Sequence, residues 1–274
     1  MQRKKRRIVR RVVPLLPAAV TMEPPQPQAE TEQPAHGPEP AEAALPYTVV
    51  VGYVNRPDLL RQALNSIEPM WPITTVIDNS NKVNLTDNPI GLPVRVYQPP
   101  DPLSMSQTVN LMHRLAAENG SEAAIFLHND AELHPGAADQ LLQTLEDWKQ
   151  SGRRWGILKA GGSSLIAFHM EAVRAIGPMD TTLPHDYAQQ DYDKRMSLLG
   201  YDVVEHELPV THHNGGGSTY KDDGDLNHIR ELMRPFYRNY YVDKWGGPPG
   251  EEKHSLLFGE FPLNPNPDYL KRFM

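Results

Sequence analysis

The chain has no cysteine. That absence excludes disulfides, a thiolate nucleophile and a cysteine-ligated zinc site, so any metal ion must be held by oxygen and imidazole. Glycine is spread without a Gly-x-Gly-x-x-Gly run or a Gly-x-x-x-x-Gly-Lys-Ser/Thr run, so neither a dinucleotide fingerprint nor a P-loop is present to cradle phosphates. No stretch approaches the roughly 20 apolar residues that span a bilayer. The mildly apolar segment 12–20 is broken by Pro14 and Pro17 after a basic start, so a secretory signal is not expected and the protein reads as soluble and cytoplasmic. Acidic residues are missing from positions 1–12, where Arg3, Lys4, Lys5, Arg6, Arg7, Arg10 and Arg11 cluster. The net charge of -7 therefore understates the acidity of the remainder. A basic head of this kind reads as a solvated tail, or as a contact for nucleic acid or an anionic surface.

What is present divides the 274 residues into three parts. Residues 1–46 join the basic head to a proline- and glutamate-rich stretch with few large apolar side chains, which cannot form a core. Residues 47–223 hold the expected catalytic domain, and residues 224–274 a C-terminal helix and an aromatic, glycine-rich tail packed on it. With 39% hydrophobic and 22% charged positions, one main core is expected.

Within 47–223 apolar strands alternate with amphipathic helices. Strands are expected at Tyr47 to Val51, Thr74 to Ile77 and Ala123 to Leu127; helices are expected at Pro57 to Ile67, Ser106 to Glu118 and Ala137 to Trp148. Beyond residue 156 the order loosens into an apolar segment Ser164 to Phe168, short helices at 170–176 and 188–199, and a strand Asp202 to Leu208. This is an α/β pattern with a mostly parallel sheet flanked by helices, followed by a mixed half.

The most telling segment is Ala124-Ile-Phe-Leu-His-Asn-Asp-Ala-Glu132, an apolar run that stops at His128, Asn129 and Asp130. Polar residues also follow the first strand, in Tyr53-Val-Asn-Arg-Pro57, and the second, in Asp78-Asn-Ser-Asn81. Ligands bind outside the carboxyl ends of such strands. Singly, Asn55 reads equally well as a helix cap and Asp78-Asn79 as a turn. An Asp beside an imidazole at a strand end could hold Mn²⁺ or Mg²⁺ and so do for a diphosphate what the missing glycine loops do elsewhere.

These segments resemble the GT-A glycosyltransferases, in particular the inverting family 2-like enzymes. The resemblance rests on a series: Val49 to Asp58, Val76-Ile-Asp-Asn-Ser80, Phe126 to Glu132, Ile176-Gly-Pro-Met-Asp180, Gln189 to Met196 with Gly200-Tyr201, and Thr211-His-His-Asn214. It implies a GT-A, Rossmann-like fold and a metal-dependent transfer, with inversion, from a nucleotide diphosphate sugar, most often a UDP-sugar. By the resemblance, His128-Asn129-Asp130 takes the place of the Asp-x-Asp motif, with Asp130 as its useful carboxylate and His128 as a neutral replacement for the first acid. His213, 22 residues after Asp191, is the expected second metal ligand, with His212 as the fallback. Gly215-Gly216-Gly217 would let a lid move.

Asp191 takes the second acidic position of the acceptor motif and is the expected general base, while Gln189 occupies the first. Asp186 and Asp193 are alternatives, and Asp191 also reads as a simple helix-face partner of Arg195 four residues on. Donor contacts are expected from Val51, Tyr53, Arg56, Asp78, Gln107, Asn110 and Asn129. The acceptor would be a hydroxyl of a saccharide, a protein or modified DNA. The tail around Trp245 is similar to that of short soluble glycosyltransferases of bacteriophages, which would place the protein in a host cytoplasm. Two other classes stay open: a sugar nucleotidyltransferase, disfavoured by the glycine-poor loop after the first strand, and a non-catalytic nucleotide-sugar or glycan-binding module.

Overall fold

The computed structural model describes residues 46–80, 82–87 and 89–255. The expectations for residues 1–45, for Asn81 and for the tail after residue 255 lie outside the described residues.

The chain runs β1 (Tyr47–Tyr53), α1 (Pro57–Asn65), β2 (Thr74–Asp78), β3 (Arg95–Tyr97), α2 (Met105–Glu118), β4 (Ala123–His128), β5 (Ala131–Leu133) and α3 (Ala137–Gln150). It continues through β6 (Trp155–Ala160), β7 (Leu165–His169), α4 (Met170–Ile176), α5 (Ala188–Leu198), β8 (Asp202–Glu205), β9 (Val210–His212), α6 (Ser218–Asp222) and α7 (Gly224–Trp245). Seven strands form one sheet in the order β3-β2-β1-β4-β7-β6-β8, and β5 and β9 form a second, two-stranded sheet. β1 pairs in parallel with β2 and β4, while β7 runs antiparallel between β4 and β6. The sheet is thus mostly parallel, as its near-continuous apolar strands require.

Both faces of the sheet are covered. On β1, Val49 and Val51 point into one core with α1 and α3, whereas Val50 points into the other with α2, α4, α5 and the end of α7. Alternate residues of one strand face opposite ways, so a strand that is apolar at every position must be buried on both sides. Each fully buried Val or Leu is worth about 1.5–3 kcal/mol relative to exposure, so a charge at Val50 would break the fold.

Local chemistry sets the helix starts that frame the carboxyl edge. Ser104 and Gln107 form a reciprocal capping box on α2: the Gln107 amide donates to Ser104 Oγ at 3.3 Å and the Ser104 amide to Gln107 Oε1 at 2.9 Å. Pro57 stands in the first turn of α1, but the residue that caps it is Arg56, in a left-handed conformation at φ 64. Asn55 does not cap that helix; its Nδ2 donates to the Thr219 carbonyl at 3.0 Å and so ties β1 to α6. Among the described residues no helix is long and apolar enough to cross a membrane.

Candidate metal and donor site

β4 ends at His128, and the chain turns through Asn129 and Asp130 directly into β5. β5 then pairs antiparallel with β9, opposing Ala131 to His212 and Glu132 to Thr211. The His213 amide extends the ladder by donating to the Asp130 carbonyl at 2.8 Å. Successive side chains on a strand point to opposite faces. His212 therefore faces the cleft and donates from Nε2 to Asp130 Oδ1 at 3.1 Å. His213 turns the other way and donates from Nε2 to Glu132 Oε2 at 2.8 Å. The expectation that His213 would join Asp130 is corrected: the ladder sets the His213 backbone opposite Asp130, but the Asp130 side chain, in the turn before β5, meets His212, and the His213 ring is taken by Glu132.

His128 completes the group, its Nδ1 3.9 Å from Asp130 Oδ1. One ligand atom from each of His128, Asp130 and His212 lies within 4.8 Å of the others, and among the described residues this is the group that could hold a metal ion. Two imidazole nitrogens and one carboxylate oxygen are a sound divalent-cation donor set. The second carboxylate oxygen of Asp130 is already engaged, accepting the Ser218 amide at 3.1 Å. Asp130 is 4% exposed. Burial would raise its pKa, but the His212 bond and the Ser218 amide outweigh burial and hold it below the usual carboxylate range. His128 keeps 30% of its side chain open to the cleft, yet its ring lies deep in the molecule. Burial pulls its pKa down to about 4 against the opposing pull of Asp130, leaving a neutral ring at pH 7 that is ready to bind a cation.

The group lines a cleft of about 260 Å³ whose floor includes Gly52, Phe126 and Thr108. Across from it stand His185, Asp186, Tyr220 and Arg230. Arg230 donates to both oxygens of Asp186, at 3.1 and 2.8 Å, and its guanidinium lies 4.8 Å from the Tyr220 ring centre. His185 meets the same ring edge-on at 5.7 Å. Burial pushes the Tyr220 phenol up to about 12 and draws His185 down to about 4, so both are neutral at pH 7. Residues of α7 were not foreseen as lining this wall. Asp186 ahead of α5 was legible, but Arg230 is one of three arginines on α7 and nothing in the sequence singles it out.

Asp191 is elsewhere. It has no exposed surface; its Oδ1 accepts from Trp245 Nε1 at 2.9 Å and lies 2.8 Å from Lys244 Nζ, and its Oδ2 lies 3.2 Å from Arg195 Nε. A carboxylate enclosed by two cations and an indole has no face toward an acceptor, so the base role expected of Asp191 is corrected in favour of its helix-partner reading. Asp193 is held by Lys159 at 3.0 Å and by Gln189 at 2.7 Å.

The expected donor contacts fall into three groups. Asn129 lines the cleft and donates to the Asn55 carbonyl at 2.9 Å. Arg56 lines an adjoining cavity of about 610 Å³ with Lys82, and it pairs with Asp58 and Asp222 at 2.7 and 2.6 Å. The others are spent on the frame. Val51 and Tyr53 are fully buried, with the Tyr53 hydroxyl donating to the Val83 carbonyl at 2.8 Å. Asp78 accepts the Ser80 and Leu85 amides at 3.0 and 2.9 Å, closing the loop after β2. Asn110 clamps Met179 by two bonds of 3.0 and 2.7 Å, and Gln107 is consumed by its capping box on an exposed face.

No family model and no curated protein matches this chain. Solved structures do. GalNAc-T7, solved with UDP, GalNAc and Mn²⁺, aligns at a TM-score of 0.51 and 14% identity, over 74% of this chain and 51% of that one. The mannosyltransferase PcManGT of Pyrobaculum calidifontis, in complex with GDP-Man and Mn²⁺, aligns at 0.46 and 16%, over 62% and 58%. Glucosyl-3-phosphoglycerate synthase of Mycobacterium tuberculosis, with Mn²⁺ and UDP-glucose, aligns at 0.47 and 16%, over 71% and 80%. The chain thus spans little more than half the length of the first two. At such identities the likeness is one of fold, and the fold is GT-A, with glycosyltransferases as its neighbours.

Proposed function

We propose that the chain is a metal-dependent glycosyltransferase that moves a sugar from a nucleotide diphosphate sugar, a UDP-sugar in the first instance, to an acceptor hydroxyl with inversion. The observation that carries the reading is the convergence of His128, Asp130 and His212 at the carboxyl end of β4, beside a cleft of this fold. GalNAc-T7, which aligns over 74% of this chain, was solved with UDP and Mn²⁺, which supports it. A bound divalent cation would neutralise the departing diphosphate.

The chain's own residues would do the rest. His128, Asp130 and His212 hold the cation, and Asn129 keeps the β4 turn against the β1 loop. Arg56 and Lys82 line the adjoining cavity, where each is already paired, Arg56 with Asp58 and Asp222 and Lys82 with Asp223. Asp186 is the carboxylate on the cleft wall across from the metal group, with Arg230 fixing its orientation. It takes the acceptor proton as the hydroxyl oxygen attacks the anomeric carbon and the bond from that carbon to the diphosphate breaks. The acceptor belongs to the class expected from sequence, a hydroxyl of a saccharide, a protein or modified DNA, and the reaction would take place in the cytoplasm. The burial of Asp191 favours a second reading, a module that binds nucleotide sugar without turning it over.

Release of UDP from a panel of UDP-sugars, with Mn²⁺ or with chelator, separates the two. The transferase reading expects chelator-sensitive release from one donor. Asp186→Asn should lower kcat by about 10²–10⁴-fold with KM little changed. Binding of UDP with no release by the wild type leaves the inert module.

A further inference from the structure

We infer that the exposed face of α7 is a docking surface for a second copy of this chain, on which two α7 helices pair antiparallel across a two-fold axis. Six large apolar side chains are exposed among the described residues, and four of them, Ile229, Leu232, Met233 and Phe236, stand on this helix. Phe236 is 66% exposed, and Met233, the most covered of the four, 37%. Their spacing of three, one and three residues sets them along one face. None of the four belongs to either core. One turn beyond Phe236 the same line enters the core at Tyr240, and one turn before Ile229 it stops at Asp225. A continuous apolar stripe of this kind on a surface marks a contact with another molecule.

A two-fold axis demands a surface that fits itself. The spacing three, one, three reads the same in both directions. Turned antiparallel about a point between Leu232 and Met233, Ile229 meets the partner's Phe236 and Leu232 meets the partner's Met233. The charges are placed to allow it. Glu231, Arg234 and Arg238 gather on the opposite face of the helix, and Arg230 is turned to Asp186. The margins of the stripe hold Leu226, His228, Pro235, Tyr237 and Asn239, so no like charges meet across the axis. A centre depleted of charge is the mark of a protein interface. A bilayer surface would instead ask for Lys or Arg along those margins, and the chain beyond its basic head is strongly acidic, which anionic lipid repels. Four side chains from each copy make a small interface, so a Kd of about 1–100 µM is expected.

The test is sedimentation equilibrium of the full chain from about 1 to 200 µM, which should show a monomer passing into a dimer. Phe236→Glu should raise the Kd about 10-fold or more, because it buries an unpaired charge at the interface. Arg238→Gln, on the opposite face, should dimerise as the wild type does, and thermal unfolding checks that each variant folds. The chain has no cysteine of its own, so introduced thiols report the pairing. Leu232→Cys, beside the axis, should oxidise to a disulfide-linked dimer. Ile229→Cys alone should not, since its two copies stand about 10 Å apart along the helices, but mixed with Phe236→Cys it should. A wild type that stays monomeric at about 200 µM, or a dimer unmoved by a folded Phe236→Glu, overturns the docking surface. If that monomer floats with phosphatidylserine vesicles, the stripe meets membrane; if its Leu232→Cys thiol resists alkylation, the cover comes from the same chain. A dimer that cross-links through Ile229→Cys alone overturns the antiparallel pairing.

Discussion

His113 lies on α2 with its ring 4.8 Å from Phe168, edge-on, and 5.8 Å from Tyr192, stacked. Among the described residues neither of its ring nitrogens has a hydrogen-bond partner. Burial, and secondarily the charge of Arg195, pull its pKa down to about 3. The unfolded chain binds a proton here below pH 6.5, while the folded chain does not until about pH 3, so stability falls as pH drops through that window. The slope is at most about 1.4 kcal/mol per pH unit from this residue. Asp180 acts in a lower range. Burial opposes its ionisation, but Lys244 and Tyr240 overcome that and bring it down to about 2, so its contribution is present above pH 3.8 and is lost as pH falls through 2. Between pH 6.5 and 4 the acid limb therefore belongs to histidine, with His185 adding to it. Urea midpoints for the wild type should decline steadily from pH 6.5 to 4, and those of His113→Phe, which keeps the ring contacts without the titration, should decline less steeply. Superimposable limbs would mean that this ring is not responsible.

The pair β5 and β9 is the smaller of the two sheets and the one on which the metal site turns. After β9 the chain passes through Gly215, Gly216 and Gly217, all at positive φ. A Cβ at Gly216 would meet the His212 ring at 2.7 Å, whereas at Gly215 it would meet nothing within 4 Å. Both substitutions strain the backbone, by about 1 kcal/mol. Gly216→Ala should also push His212 off Asp130 and weaken Mn²⁺ binding about 10-fold or more; Gly215→Ala, tested by the same titration, should leave it near the wild-type value. The contrast also explains what could be read in advance. β1, β2, β4, α2 and α3 were legible because each is a local pattern of apolar residues bounded by Pro57, Ser104 or a polar strand end. β3, β5 and β9 are three residues each, too short for any periodicity to register. Asp130 announced itself at the end of an apolar run. The choice between His212 and His213 did not, because it depends on how the turn before β5 aims the Asp130 carboxylate at a strand about 80 positions further on: the Asp130 carbonyl takes the His213 amide, yet its carboxylate meets His212.

At the scale of the whole molecule, α7 decides whether residues 47–223 are a self-sufficient body. Its first turns carry Arg230 to the cleft, and its last turn inserts Tyr240, Tyr241 and Trp245 into the core beneath α5. Lys244, 2% exposed, lies 2.7 Å from Asp180 and 2.8 Å from Asp191, joining the turn after α4 to α5. Asp191 was assigned to catalysis on its place in a motif, but the groups that occupy it, Lys244 and Trp245, stand more than 50 residues further on. Only the closed fold brings them together. A chain ending at Asp223 would leave Asp191 with Arg195 alone and Asp180 without its lysine, at a cost of about 3–5 kcal/mol for each broken buried pair. It would also uncover three aromatic residues of the core. Losses of that size equal or exceed the whole stability of an ordinary domain. Residues 46–223 expressed alone should therefore lack a cooperative thermal transition and bind a hydrophobic dye, whereas 46–255 should unfold in one step. A cooperative 46–223 fragment that still binds Mn²⁺ would show that α7 only rests on the domain, and that the ion network at Asp191 holds the helix in place without holding the fold together.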